Sequence, residues 1–146
     1  SFRVLRLFRS VKPDRLLGQL DDAELWELVQ AGKWSRVPPR VVLVREGEIG
    51  KSLFFLGSGN VKVTKQNRLL NVLGAGDCVG EMAYIKEGEI IRQATVETMA
   101  DVLLAEFEQG MLDKVSLKCR YQLSLALMHS LVDRLSLADE RLVGVG

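Results

Sequence analysis

The sequence predicts a mainly β domain with flanking helices, and two observations carry that prediction. Between residues 34 and 107, short β-rich runs recur at close intervals with turn residues between most of them. On both sides of that stretch the apolar residues step by three and four, as on a helix face. Many short, evenly spaced strands argue for a sandwich or barrel, and a jelly-roll-like arrangement leaves few exposed edges. The organisation expected is one structural domain in three parts: helical over 1–33, β-rich over 34–107, helical over 108–146.

At the N-terminus Phe2, Val4, Leu5, Leu7 and Phe8 are interleaved with Arg3, Arg6 and Arg9. This is compatible with a helix, and Pro13 interrupts it before Leu16 and Leu17. Two readings stand: a basic amphipathic arm for a membrane or partner, or a helix lying on the domain or a neighbour. So few arginines favour the second. Asp21 or Asp22 can then cap a helix whose apolar side is Leu25, Trp26, Leu28 and Val29, with Gly32 as its stop.

From Trp34 the period changes. Strands are expected over 34–37, 41–44, 52–56, 60–65, 68–72, 94–96 and 102–107. Turn signals separate most of them: Pro38-Pro39, the stretch from Gly47 to Gly50, Gly57-Ser58-Gly59, Gln66-Asn67 and Gly74-Ala75-Gly76. In Val61-Lys62-Val63-Thr64-Lys65 the alternation is clean, one face in and one out. After Phe107 a short helical piece over 108–116 leads to a longer one over 117–142. There Leu117, Tyr121, Ser124, Met128, Leu131, Leu135, Ala138 and Leu142 form a seam, widened by Leu123, Leu125, Leu127 and Val132. A face this broad wants two neighbours. The helix packs along its own domain, or its seam also pairs with a second copy; self-association is expected.

Composition narrows the function. With 47% apolar and 27% charged residues, the 146-residue chain reads as one ordinary globular domain. A net charge of +1 gives no electrostatic footprint for nucleic acid, and no apolar run is long enough to span a bilayer. Cys78 and Cys119 read as unpaired thiols of a reduced, cytoplasmic protein. The single histidine, His129, cannot supply a multi-histidine metal site, and no nucleophile constellation surrounds it. No metal and no catalysis are expected. Ser1 rather than Met opens the chain, as expected of a piece of something longer.

The residues that carry chemistry lie between Asp77 and Glu97. Gly80 and Glu81 precede a short apolar segment beginning Met82-Ala83, and after a polar loop Arg92 opens the run Gln93-Ala94-Thr95-Val96. A helical turn after Gly80 exposes N–H groups without carbonyl partners, and Ala83 is small enough to let an anion approach. An arginine arriving from a neighbouring strand can grip two oxygens of that anion. Glu81 can accept hydrogen bonds from a sugar hydroxyl beside it. The outline is a nucleotide monophosphate cradle. Val61, Met82 and Val72 could wall a base, though core packing accounts for them equally well.

Gly-Glu-Met-Ala at 80–83, a gap, then Arg-x-Ala-Thr-Val at 92–96 resembles the phosphate-binding cassette of cyclic-nucleotide-binding domains. Upstream glycines Gly47, Gly59 and Gly76 agree with that family, and the resemblance covers roughly residues 34–107. It is similar to bacterial cyclic AMP receptor-type and kinase regulatory-subunit sensor domains. The resemblance implies a double-stranded β-helix (jelly-roll-like) barrel with N-terminal helices and a long C-terminal helix. It implies a regulatory sensor module without catalysis. Arg92 would hold the exocyclic phosphate oxygens and Glu81 the ribose 2′-hydroxyl. Gly80, Met82 and Ala83 would offer backbone N–H groups, and Gln93 and Ala94 complete the ligand-binding set. The family closes its pocket from the following helix, where Tyr121, Leu125 and Met128 are the candidate caps. Ligand would then favour the docked helix by population shift. Dimeric bacterial members pair through that helix.

There are departures. Val79 stands where the family commonly has Phe, Ile91 where it has Pro, and the gap before Arg92 is slightly longer. After the arginine the family often places Ala with cyclic AMP and Thr with cyclic GMP; Gln93 is neither. Cyclic AMP is the ligand expected, with cyclic GMP open. The alternative is the same fold with a degenerate site, used for dimerisation or protein docking.

Overall fold

The computed structural model of the chain describes residues 16–82, 90–108 and 110–145. The basic N-terminal segment and Ala83 lie outside the described residues. A 3-10 turn, Leu16–Gln19, leads to helix α1, Asp22–Ala31. Asp21 caps it: its carboxylate accepts from Glu24 N at 2.8 Å while Glu24 Oε1 accepts from Asp21 N at 2.9 Å. That reciprocal box decides between the two candidate caps. Gly32 ends the helix in extended backbone, φ −83°, and donates its N–H to Leu28 O. A left-handed stop is therefore not why glycine stands there. A Cβ at Gly32 would lie 2.7 Å from the Phe107 ring, so close packing is the reason.

Among the described residues ten short strands follow: β1 Lys33–Val37, β2 Val42–Val44, β3 Ile49–Gly50, β4 Leu53–Ser58, β5 Val61–Lys65, β6 Arg68–Leu73, β7 Cys78–Val79, β8 Ile90–Ile91, β9 Thr95–Thr98 and β10 Val102–Phe107. One sheet has the order β1-β10-β4-β7, a second β2-β9-β5-β6, and β3 pairs with β8 alone. The ladders are antiparallel. This is the mainly β architecture expected, with one correction: the sheets are open and do not close into a barrel. After β10 a 3-10 turn, Met111–Lys114, stands where a short helical piece was expected, and helix α2, Leu117–Val145, follows.

Two apolar cores explain the patterning. Phe54 and Leu56 of β4, with Val102 and Leu104 of β10, face the second sheet and meet Val44, Val61 and Val96. The alternate residues, Leu53, Phe55, Ala105 and Phe107, face the helices and meet Leu25, Leu28, Leu123 and Leu127. Phe55 and Phe107 pack edge to face with centroids 5.2 Å apart. The first sheet is thus covered on both sides, and Leu53-Phe54-Phe55-Leu56 reads as a continuous apolar run. The second is covered on one side only, so β5 alternates. Thr98, buried, ties β9 to the β1–β2 connection: its hydroxyl donates to Pro38 O at 2.7 Å and accepts from Val41 N at 2.9 Å. Burial pushes the Cys119 thiol up to about 12, so at neutral pH it is an inert core group. Among the described residues no helix is long and apolar enough to cross a membrane.

Candidate functional site

A hollow of about 180 Å³ opens at one end of the second sheet. Its floor is apolar: Val44, Val63, Leu73, Val79 and Val96. Gly80, Glu81, Arg92 and Gln93 also line it, with Met82, Ile90, Ile91 and Ala94 beside them. Six of the cassette residues expected from the sequence, Gly80, Glu81, Met82, Arg92, Gln93 and Ala94, therefore border one cavity.

Arg92 is held by its backbone and by its side chain. Its N–H donates to Glu48 O at 2.8 Å and its carbonyl accepts from Gly47 N at 2.9 Å. Gly47 has φ +86°, the left-handed geometry that lets the chain turn there. The guanidinium donates from Nη2 to Ser52 O at 2.8 Å, and the Ser52 hydroxyl donates to Glu106 Oε2 at 2.7 Å. Half-buried against an apolar floor, Arg92 has its pKa lowered by desolvation, yet arginine stays a cation at any working pH. A poorly hydrated cation beside apolar walls attracts an anion more strongly than one in bulk water. Gly80 has φ +83°, and a Cβ there would lie 2.7 Å from both Arg92 Nη1 and Ser52 O. Glycine at 80 is required by backbone geometry and by crowding together. The Gln93 amide donates to Ile91 O at 3.2 Å, so its side chain lies back toward β8.

Other expected residues lie elsewhere. Val61 is wholly enclosed in the core between the sheets, and Val72 is 41% exposed; neither lines the hollow. Val63, two residues along the same face of β5, and Leu73, one residue beyond Val72, take those places. None of Tyr121, Leu125 and Met128 borders this hollow. Tyr121 and Met128 are 61% and 56% exposed, and Met128 lines a separate groove beside Asp113 and Arg120. The sequence carries no sign of Ser52, whose carbonyl holds Arg92, because a backbone acceptor leaves no pattern that a periodicity can detect. No described group of three or more His, Cys, Asp or Glu is placed to hold a metal ion.

Two open sheets, a helix at each end, and an apolar hollow bordered by Glu81 and Arg92 are the features that the comparisons must account for. The description "Cyclic nucleotide-binding domain" matches residues 34–118 as a family, more than half of the chain. The chain belongs to the cyclic-nucleotide-binding domain family. It is 38% identical over 89 residues to a cyclic nucleotide-gated potassium channel of Rhizobium etli, covering 61% of this chain and 24% of the channel. It is 32% identical over 96 residues to a cAMP-dependent protein kinase regulatory subunit of Debaryomyces hansenii, covering 65% and 21%. The chain thus spans about a quarter or less of these relatives' lengths. Among solved structures, Thermus thermophilus Catabolite Activator Protein superposes with a TM-score of 0.74 at 24% identity, covering 89% of this chain and 62% of that one. The regulatory domain of Toxoplasma gondii PKA with cAMP gives 0.60 at 26% identity, covering 77% and 42%.

Proposed function

We propose that this module binds cyclic AMP and passes occupancy on through α2. One observation carries the reading: a fixed guanidinium and a carboxylate border one apolar hollow. In this reading Arg92 takes the exocyclic phosphate oxygens, giving up Nη2 to Ser52 for a charged acceptor. Glu81 accepts from the ribose 2′-hydroxyl, and Gly80, Met82 and Ala83 supply backbone donors. Gln93 and Ala94 complete the contact set, while Val63 and Leu73 wall the base. A likeness to a regulatory domain solved with cAMP supports the choice of ligand. Cyclic GMP is the competitor, because Gln93 is neither of the residues that the family uses to separate the two. Tyr121, Leu125 or Met128 would cap the base only if α2 moves when ligand enters, and that movement is the signal. The chemistry proposed is binding, with no bond made or broken. Titration calorimetry with cyclic AMP and cyclic GMP tests it; heat from neither nucleotide removes the reading.

A second reading, a docking or dimerisation module, is favoured by one feature. Leu117, Tyr121, Met128, Val132 and Leu135 are all more than half exposed along α2. They follow the spacing of the seam. Pairing with a second copy would cover them, and sedimentation should then show a dimer. A monomer at high concentration removes this reading without touching the first.

A further inference from the structure

We propose that Gly50 is a positioning residue: with Gly80 it forms a slot that sets where the Arg92 guanidinium sits. Gly50 lies in β3, paired with Ile90, one residue from the Ile49–Ile91 pair that leads directly to Arg92. It does not adopt a positive φ, so its backbone would accept any residue. Something other than the chain path must exclude a side chain. A Cβ at Gly50 would lie 2.5 Å from Arg92 Nη2 and 2.6 Å from Cζ, and closer still to Nε. These atoms are the far end of the Arg92 side chain, so the guanidinium, rather than the backbone, is what would give way. To regain 3.4 Å, ordinary contact, Cζ must retreat by at least 0.8 Å. At Gly80 a Cβ would meet Nη1 at 2.7 Å. The guanidinium therefore sits where two bare Cα positions leave room for it, with Nη2 donating to Ser52 O at 2.8 Å.

This inference rests on Arg92 as the phosphate contact, and it adds the residue that aims it. Bidentate recognition tolerates about 0.5 Å of misplacement, and a shift of about 1 Å costs on the order of 10²-fold. A methyl group at position 50 should weaken nucleotide binding although it touches no ligand.

Two measurements separate this proposal from the reading beneath it. The Arg92 Nε–H resonance, identified by its loss in Arg92→Lys, reports the guanidinium in the ligand-free protein. Gly50→Ala should move that resonance, and an unmoved one overturns the slot whatever the calorimetry gives. In titrations with cyclic AMP, Gly50→Ala should bind roughly 10- to 100-fold more weakly. The same substitution made in the Arg92→Lys background should cost much less, because the branched group is gone. A moved resonance with undiminished affinity overturns the positioning role. If the unsubstituted protein binds no nucleotide, the cradle reading falls and the resonance alone judges the slot. Should Gly50→Ala fail to fold, Gly50→Ala/Arg92→Ala removes the opposing group: recovered melting supports the slot, and continued unfolding overturns it.

Discussion

Arg92→Ala is the substitution that presses hardest on the proposed chemistry. Removing one partner of a buried charge pair costs about 2–5 kcal/mol in binding. Arg92 is half-buried and already occupies Ser52 O, a bond that ligand must displace or share. Both facts place the loss in the lower half, about 2–3 kcal/mol, or roughly 30- to 150-fold in Kd. The fold should survive, because in the free protein the variant loses one hydrogen bond at a partly solvated carbonyl, about 0.5–1.5 kcal/mol. That is small against a domain stability of about 5–15 kcal/mol. The assay is titration calorimetry with cyclic AMP at two salt concentrations, beside a melting curve. The unsubstituted protein should lose affinity with salt more steeply than the variant, since it alone presents this cation to the phosphate. A variant that melts normally and binds as before would show that the anion sits elsewhere, and the cradle argument would fail.

Two predictions concern the scaffold. Thr98→Val keeps the volume but strands Val41 N–H and Pro38 C=O, so stability should fall by about 1–3 kcal/mol; an unchanged melting temperature would mean water replaces the hydroxyl. Burial raises the pKa of Glu24 above its ordinary value of 4.5, so its ionised form is disfavoured in the fold. That penalty is absent below 4.5 and grows as pH rises through the folded value. Gln can keep the capping bond to Asp21 N–H without a charge. Glu24→Gln should therefore melt with the unsubstituted protein in acid and above it at pH 7. Melts that stay parallel across that range would refute the assignment of the penalty to Glu24.

Long elements were legible in the sequence and the shortest ones were not. The strand expected over 102–107 is β10, and 60–65 and 68–72 match β5 and β6 to within a residue. Each is long enough to show alternation or a continuous apolar run. β3, β7 and β8 have two residues apiece and no period to read. Yet these three border the hollow or lead to it: β7 runs into Gly80 and Glu81, β8 into Arg92, and β3 carries Gly50 beside the guanidinium. Gly80, Glu81 and Arg92 could be singled out in the sequence because their residue types have a chemical meaning independent of strand length, and they border one hollow. Gly50 was read as a turn residue because its reason, the guanidinium beside it, becomes visible only in three dimensions. That Val63 rather than Val61 lines the hollow has a similar cause. Alternation identifies the inward face of β5 but not how far along it the cavity begins, which separates Val61 from Val63.

The doubly covered sheet carries one last consequence. In β4 all four of Leu53, Phe54, Phe55 and Leu56 are buried, so sliding the strand by one position would exchange one greasy set for another. Hydrophobicity cannot hold such a strand in frame. Size must do it, through Ala105 facing Phe55 across the ladder, and so must the irregularity between Leu103 and Leu104. A methyl group or two at Ala105 would thus threaten the alignment of the whole molecule before it threatened its greasiness.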